Sequence, residues 1–377
     1  MTNQKVVRAL EIGFGTTSLV KGVREQQNRF RGKPPILMPE IMTFPSFVAP
    51  VENDSVNMSG DMHSRDTVTV EIADADSLRY EIGPDAHLAA GIKSARVLSA
   101  EYITTPQYKA LFYGSLVYMN EPEIDMLVLG LPVEDWKARR DQLKDLVVGE
   151  HTVNGKTYKI KDAWIIAQPM AGLLAYAATL SPEQYQAFRQ STNLAVDPGY
   201  GTFDFALAFG LKVNDARSGG RDLGMSVILD KVEKNLRGAF PSLSRLPVER
   251  IDEAFWKNKT FIRLNGNHYP FPVCQGKDVD GNPVDIQFDI RGARDEVIRQ
   301  AMTVMKNQVG DGGDIDNVIL LGGPAPIYKE KLIELYGAKR LIELQNPIKS
   351  VCAGMFFGGV QYLDALERKA QAQKAVA

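Results

Sequence analysis

Glu-Ile-Gly-Phe-Gly-Thr-Thr-Ser at residues 11–18 and Asp-Pro-Gly-Tyr-Gly-Thr-Phe-Asp at residues 197–204 share one pattern, acidic-x-Gly-aromatic-Gly-Thr. The two copies begin 186 residues apart, about half of the 377-residue chain. Each copy follows a short apolar run and is followed by another, which predicts a glycine-rich turn between two strands. A motif repeated at half the chain length indicates two related halves, each of which supplies one turn.

The chemistry of the repeat favours a pair of phosphate-binding hairpins. Glycines let backbone N–H groups approach an oxyanion without obstruction by a Cβ atom, and threonine hydroxyls can add donors. The residues assigned to phosphate in this way are Gly13, Gly15, Thr16, Thr17, Gly199, Gly201 and Thr202. Glu11 and Asp197, which head the two turns, would repel phosphate unless a hydrated Mg²⁺ lies between, because this ion keeps most of its waters and takes few carboxylates.

Simpler interpretations of the two turns stay open at this point. A single Gly-x-Gly turn is usually only a hairpin, so either copy alone carries little weight. The first turn also half-matches a dinucleotide fingerprint, although Glu11 would face the pyrophosphate and no crossover helix clearly follows. The sequence contains no GxxxxGK[ST] stretch, which excludes the P-loop nucleoside triphosphatases.

Length and composition agree with a two-lobed globular protein. Single cores divide beyond ~250–300 residues, and the apolar fraction of 44% is close to the globular average. The net charge of −2 argues against a nucleic-acid or anionic-membrane surface driven by bulk charge. The two cysteines exclude a disulfide-built scaffold. Because the start has no apolar signal segment and no run has the length of a membrane span, we expect a cytoplasmic protein with no membrane partner.

Short apolar strands alternate with helical patterns, which predicts α/β layers. The predicted strands, several of them apolar on both faces, are Val6–Ile12, Asp125–Leu131, Ala163–Ala167, Leu194–Asp197, Phe203–Phe209 and Asn317–Leu321. Such strands suit a sheet that helices cover on both sides. Arg139 and Arg140 fall within a helical pattern and are predicted to lie on a solvated face.

In the order of its motifs the chain resembles the actin, Hsp70 and sugar-kinase superfamily, whose ATP site uses five ordered segments. Residues 11–18 and 197–204 resemble its two phosphate loops, of which the second normally reads Asp-x-Gly-x-Gly-Thr-x-Asp. Ile165–Ala171 resembles the first connecting helix of the superfamily, and Val318–Ala325 resembles its adenosine motif. Asn346–Gly359 resembles its second connecting helix. Ala353 and Gly354 would be the small residues at the crossing of the two helices.

The resemblance implies a duplicated actin-like, ribonuclease H-like α/β fold, with two lobes around a nucleotide cleft and a smaller inserted subdomain in each. Lobe I would comprise residues 1–183 and 347–377, with an insert at about 30–105. Lobe II would comprise residues 184–346, with an insert at about 225–290. Within the superfamily the chain is similar to the ParM/StbA plasmid-segregation actins, through Phe44–Ser46, Tyr80–Gly83, Leu127–Pro132 and Ser218–Gly224.

The resemblance also implies roles for individual residues. The family's water-positioning residue falls on Gln168, which would orient the attacking water rather than deprotonate it, because an amide is not a base at neutral pH. The alternative for Gln168 is a helix N-terminal residue before Pro169. Asp197 would hold Mg²⁺ through water, with help from Glu11. The nucleotide contacts that the resemblance adds are Phe14, Tyr200, Gly322, Gly323 and Pro324, the last three also matching an ordinary strand-to-helix turn.

The chain departs from the family pattern at Glu11, where Asp is usual, and at Ser18, near which many relatives have Lys or Asn. We expect both departures to affect the rate of ATP hydrolysis more than nucleotide binding. The resemblance implies an ATPase that binds ATP or ADP with Mg²⁺, polymerises head to tail with itself, and engages DNA through an adaptor protein rather than directly. The alternatives are a small-molecule kinase, which would need an aspartate base that Gln168 cannot replace, and a non-hydrolysing, nucleotide-bound scaffold.

Overall fold

The structure is a computed structural model, which describes residues 5–27, 35–51, 64–72, 78–89, 99, 101–239, 248–257, 259–264, 266–271, 273–277, 282–287 and 290–376. Parts of both predicted inserts, at about 30–105 and 225–290, lie outside the described residues. The strands are β1 (Val7–Ile12), β2 (Thr16–Gln26), β3 (Ile36–Pro45), β4 (Val48–Pro50), β5 (Val68–Ile72), β6 (Leu78–Ile82), β7 (Glu123–Ile124), β8 (Met126–Leu131), β9 (Gly149–Val153), β10 (Lys156–Ile160), β11 (Ala163–Ala167), β12 (Thr192–Pro198), β13 (Phe203–Phe209), β14 (Lys212–Val213), β15 (Gly219–Arg221), β16 (Phe261–Leu264), β17 (Asn267–Pro270), β18 (Val273–Lys277), β19 (Pro283–Gln287), β20 (Asn317–Leu320) and β21 (Leu341–Glu343). The helices are α1 (Ala86–Ala89), α2 (Pro106–Met119), α3 (Val133–Val147), α4 (Gln168–Ala178), α5 (Pro182–Phe188), α6 (Met225–Ala239), α7 (Val248–Trp256), α8 (Ile290–Val309), α9 (Ala325–Tyr336) and α10 (Pro347–Val376).

One sheet contains β11, β8, β1, β2 and β3 in this order. β1 runs antiparallel to β2 and parallel to β8, and β8 runs parallel to β11. Every residue of β8 is buried. Leu127 and Leu129 pack into the core of this lobe, whereas Val128 packs into a core that also contains residues of the other sheet. The continuous apolar run of β8 is therefore explained by packing on both of its faces.

A second sheet repeats this arrangement. Its order is β21, β20, β12, β13 and β14, and β15 pairs with β13. β12 runs antiparallel to β13 and parallel to β20, and β20 runs parallel to β21. The hairpins β1–β2 and β12–β13 thus occupy equivalent positions in the two sheets, as the sequence repeat predicts. The matching strand order and directions confirm the duplicated α/β fold.

The helices α4 and α10 lie between the two sheets. The core around them includes Ala9 of the first sheet and Ala195 of the second. The helices cross at Gly354, where a Cβ atom would lie 1.8 Å from the carbonyl oxygen of Ala171. Because such a contact is impossible, the crossing requires glycine at this position. These two helices begin within the predicted connecting segments and join the two halves of the molecule.

The remaining elements cover the outer faces and form small sheets. α2 packs on the first sheet, with Phe112 fully buried, and α8 and α9 bury Met305 and Tyr328 against the second. The small sheet β4–β6–β5 lies in the range of the first predicted insert, and the hairpins β16–β17 and β18–β19 lie in the second. The lobe boundaries at residues 183 and 346 stay predictions. In the described part of the chain, none of the helices combines the length and apolarity that a membrane span needs.

Candidate functional site

The two repeated motifs form hairpin turns of the same construction. Gly13 N donates to the Thr16 carbonyl oxygen at 3.0 Å, and Gly199 N donates to the Thr202 carbonyl oxygen at 2.8 Å. Each turn therefore has two central residues, an aromatic residue followed by glycine. Both turns line a single cleft. The sequence repeat is thus a repeat of local structure at one site.

Backbone hydrogen bonds brace each turn from behind. The N–H groups of residues 224–226, at the start of α6, donate to the carbonyl oxygens of residues 199–201 over 2.8 to 3.2 Å. In the first turn, the Gly15 carbonyl oxygen accepts from Ser46 N at 3.0 Å. Carbonyl oxygens held in this way do not face an incoming phosphate. This arrangement suits loops that bind anions through N–H groups and hydroxyls.

The structure brings nearly all of the predicted site residues to this cleft. Those that line it are Glu11, Gly13, Phe14, Gly15, Thr16, Gln168, Asp197, Gly199, Tyr200, Gly201, Thr202, Gly322, Gly323 and Pro324. Thr17 is placed elsewhere: it is fully buried, and its hydroxyl lies 2.9 Å from the Ser46 hydroxyl. Ser18 is also fully buried, with its hydroxyl 3.0 Å from that of Thr43. Side chains alternate across a strand, so the residue after Thr16 points into the core rather than the cleft.

Three buried carboxyl groups flank the turns: Glu11 precedes the first turn, Asp197 precedes the second, and Asp204 follows the second. Burial, and secondarily the charge of Asp197, raises the pKa of Glu11 well above its usual range. Burial, together with the charge of Asp204, raises the pKa of Asp197 to about 8. Burial also raises the pKa of Asp204 to about 7, although hydrogen bonds from Thr202 and from the Val133 N–H oppose the rise. The protein alone thus disfavours negative charge at all three groups.

The donor set fits a Mg²⁺ ion that is bound mainly through water. Glu11 Oε2 is buried and has no hydrogen-bond partner among the residues that the structure describes. A cation near Glu11 and Asp197 would relieve the cost of ionising both groups. Within the described ranges, no group of three or more His, Cys, Asp and Glu side chains could hold a metal ion. The residues present therefore suit an ion that takes one or two carboxylates and completes its shell with waters and phosphate oxygens.

Gln168 is held at the junction of a strand and a helix. It is the first residue of α4, directly after β11, and Pro169 suits the first helical turn. Its side chain is buried, and Nε2 donates to Glu11 Oε1 over 3.4 Å. The amide therefore faces the head of the first turn. This geometry is compatible with positioning a water molecule in the cleft.

The turn between β20 and α9 forms another wall of the cleft. Gly322 has a φ of +81°, and a Cβ atom there would lie 2.4 Å from the Pro198 carbonyl oxygen. Glycine is thus required both by its conformation and by the second turn beside it. Apolar residues that sequence reasoning did not assign join this part of the cleft lining, namely Met225, Phe255, Pro326, Ile327, Ile348 and Val351. Most of them come from helices separated widely in sequence, so no local pattern marks them.

The cleft also contains polar residues that sequence reasoning missed or misplaced. Arg139 was predicted on a solvated face, but it lines the cleft and lies 2.9 Å from Asp135. The correction follows from the position of α3, whose first N–H, on Val133, donates to Asp204 Oδ1 at 2.7 Å. Asp204 therefore connects the second turn to a helix of the first lobe. Its place at the end of the repeated motif was a signal that could have identified it.

The fold of the chain is actin-like. Residues 9–170 match the family model described as "Actin like proteins N terminal domain". No curated protein shows significant sequence similarity to the chain.

Solved structures with the same fold cover nearly the whole chain. A 15-stranded ParM filament from Clostridium botulinum is 16% identical, with a TM-score of 0.70 over 95% of this chain and 99% of that chain. The archaeal actin homologue Ta0583 in complex with ADP is 14% identical, with a TM-score of 0.63 over 96% and 99% of the two chains. The Alp12 filament structure is 16% identical, with a TM-score of 0.56 over 96% and 100%. These similarities show the two-lobed actin-like fold.

Proposed function

We propose that this chain is an ATPase that binds Mg–ATP between its two lobes and polymerises into filaments for plasmid DNA segregation. One observation carries the proposal: two repeated turns converge on one cleft with Glu11, Asp197 and Gln168. The ADP complex of the archaeal homologue supports a nucleotide as the ligand. The ParM and Alp12 filament structures support self-association.

In the proposed site the triphosphate lies in the cleft and contacts both turns. Backbone N–H groups of both turns and the Thr16 hydroxyl would bind the β- and γ-phosphates. The Thr202 hydroxyl is hydrogen-bonded to Asp204, so Thr202 would contribute through its backbone. Asp197 and Glu11 would hold Mg²⁺ through water, and this ion neutralises phosphate charge when bound. Gln168 would orient the attacking water, with its own amide held by Glu11.

Nucleotide binding and assembly would be linked through the cleft. A triphosphate that contacts both turns favours the closed arrangement of the lobes, and the closed form would make the head-to-tail contacts. Such a contact, repeated without closing on itself, gives a helical filament. Hydrolysis and phosphate release would then weaken the contacts. Because the net charge is only −2, we propose that a DNA-binding adaptor protein connects the filament to plasmid DNA in the cytoplasm.

Phosphate release by the purified chain tests the enzymatic part of this proposal. With ATP and Mg²⁺ and no added metabolite, we expect steady release of phosphate that stops when Mg²⁺ is chelated. Release that requires a small-molecule phosphate acceptor would favour the kinase alternative. Binding of ATP and ADP without turnover would instead favour the non-hydrolysing scaffold.

A further inference from the structure

The two turns touch each other through their aromatic residues. A Cβ atom on Gly15 would lie 2.6 Å from the Cβ atom of Tyr200. A Cβ atom on Gly201 would lie 2.5 Å from Cδ2 of Phe14, and its three nearest atoms all belong to that ring. The aromatic residue of each turn therefore covers the glycine of the other turn. This reciprocity explains the repeated aromatic-Gly pair better than space for phosphate alone does.

Phe14 is anchored in the first lobe. Its ring stacks on Tyr102, with centroids 4.8 Å apart and an interplanar angle of 27°. Tyr102 makes an edge contact with Tyr108 at 5.3 Å, and Tyr108 is buried in the core of this lobe. Phe14 thus lies between a fixed aromatic stack of its own lobe and Gly201 of the other lobe. Its position is set by packing that requires no ligand.

Tyr200 is anchored in the second lobe. Its side chain packs against the apolar cluster that contains Met225 and Ile228 of α6. Its carbonyl oxygen accepts from Ser226 N at 2.8 Å, which fixes the backbone of the turn to the same helix. From this support Tyr200 reaches Gly15 of the first lobe. In both contacts across the cleft, an aromatic residue that is packed against its own lobe therefore covers a glycine of the other lobe.

Opening of the cleft would separate both contacts at once, because they lie side by side on the two turns. Each separation would expose apolar ring surface to water, and aromatic packing of this kind is favourable. Both contacts are made by carbon atoms of the aromatic side chains, not by the N–H groups and hydroxyls that would bind phosphate. The two contacts therefore favour the closed arrangement independently of the charge on the nucleotide.

We propose that Phe14 and Tyr200 form a reciprocal latch, the loop latch, which holds the two turns together and slows the opening of the cleft. Its role in nucleotide exchange rests on the proposed function, whereas its role in closure does not. Phe14 and Tyr200 are positioning residues in this account. They set the separation of the turns rather than acting on the reacting atoms.

Small-angle X-ray scattering of the nucleotide-free full chain tests closure. The double variant Phe14→Ala/Tyr200→Ala should have a larger radius of gyration than the wild type. Phe209→Ala is the matched control, because Phe209 is 55% exposed at the end of β13 and its truncation should leave the radius unchanged. An unchanged radius in the double variant would overturn the loop latch, whatever the outcome of the hydrolysis assay. Circular dichroism checks folding, and Phe14→Leu/Tyr200→Leu replaces the pair if the alanine variant does not fold.

Release of a fluorescent ADP analogue tests the link to nucleotide exchange. Loss of one ring contact should accelerate release by about fivefold in Phe14→Ala. Gly201→Ala should produce a similar acceleration, because its methyl group displaces the Phe14 ring. The same change should add little in the Phe14→Ala background but should keep its effect in the Tyr200→Ala background. Equal effects of Gly201→Ala in both backgrounds would contradict the pairing of Phe14 with Gly201.

Discussion

Gln168 Nε2 lies 3.4 Å from Glu11 Oε1, which joins the start of α4 to the end of β1 across 157 residues of sequence. The other oxygen of Glu11 is buried with no partner in the described part of the chain. One oxygen thus orients the amide of Gln168, while the second stays available to a hydrated cation. In the proposed ATPase, the water-positioning residue and the metal side of the cleft are connected through this one carboxyl group.

Replacement of Gln168 should separate hydrolysis from binding. Gln168→Ala should slow phosphate release by about 10–100-fold, because the attacking water loses the group that orients it. The affinity for ADP should stay close to the wild-type value, since the two turns are unchanged. Parallel measurements of phosphate release and ADP titration check this, with the exposed Gln190→Ala as the control. Loss of ADP binding in Gln168→Ala would show that this residue is structural.

Replacement of Asp197 should slow ATP hydrolysis and remove the effect of Mg²⁺ on stabilisation by ADP. Asp197→Ala should lower phosphate release by about 100-fold or more, because the charge on the phosphates loses its metal-mediated partner. In the wild type, ADP should raise the melting temperature further when Mg²⁺ is present, and the variant should not show this difference. Thermal unfolding with and without Mg²⁺ measures it, with the exposed Asp364→Ala on α10 as the control. Unchanged Mg²⁺-dependent turnover in Asp197→Ala would remove Asp197 from the proposed site.

Asp204 should make the stability of the nucleotide-free protein fall with rising pH. Its pKa is about 7 in the folded chain and about 4 in an unfolded one, so the folded state binds the proton more tightly. Its contribution is fully present below about pH 4 and is lost as pH rises through about 7, with a slope of up to ~1.4 kcal/mol per pH unit.

Asp204→Asn isolates this effect, because the amide oxygen can still accept from Val133 N and the side chain no longer titrates. Urea unfolding in EDTA at several pH values between 4 and 8 should give a shallower decline for the variant than for the wild type. Both proteins keep Glu11 and Asp197, so the difference reports Asp204 together with the effect of its charge on the pKa of Asp197. Parallel pH profiles would show that Asp204 is not protonated by its burial.

The crossing of α4 and α10 should depend on the absence of a side chain at residue 354. Gly354→Ala would place a methyl group against the Ala171 carbonyl oxygen, so we expect a loss of about 3 kcal/mol or more in the free energy of unfolding. Gly292→Ala is the matched control: a Cβ atom there meets nothing within 4 Å, and alanine in a helix should add up to about 1 kcal/mol. Urea unfolding measures both changes. A Gly354→Ala protein of wild-type stability would mean that the helices do not cross as described.

Much of the fold follows from local sequence patterns. The strand predicted at Ala163–Ala167 has the observed bounds of β11, and those at Val6–Ile12 and Asp125–Leu131 differ from β1 and β8 by one residue at the N-terminal end. Apolar runs of this kind are local in sequence, and their burial on two faces leaves a continuous signal. The sequence repeat also predicts that the two sheets are equivalent, because the two similar motifs form equivalent hairpins.

The parts of the site that were not foreseen depend on contacts between distant elements. The Asp204–Val133 hydrogen bond spans 71 residues and needs α3 to reach the second turn. The contacts of Phe14 with Gly201 and of Tyr200 with Gly15 require both lobes in place. Thr17 is different, because strand alternation next to Thr16 was available from the sequence and places its side chain in the core.

Light scattering of the purified chain, followed by negative-stain electron microscopy, tests the central claim most directly. We expect scattering to rise after addition of Mg–ATP and to fall as phosphate is released, with helical filaments on the grids at the maximum. Mg–ADP and nucleotide-free samples should show few or no filaments, and Asp197→Ala should not show the Mg²⁺-dependent rise and fall. Monomers under every nucleotide condition would contradict the account of this chain as a filament-forming ATPase.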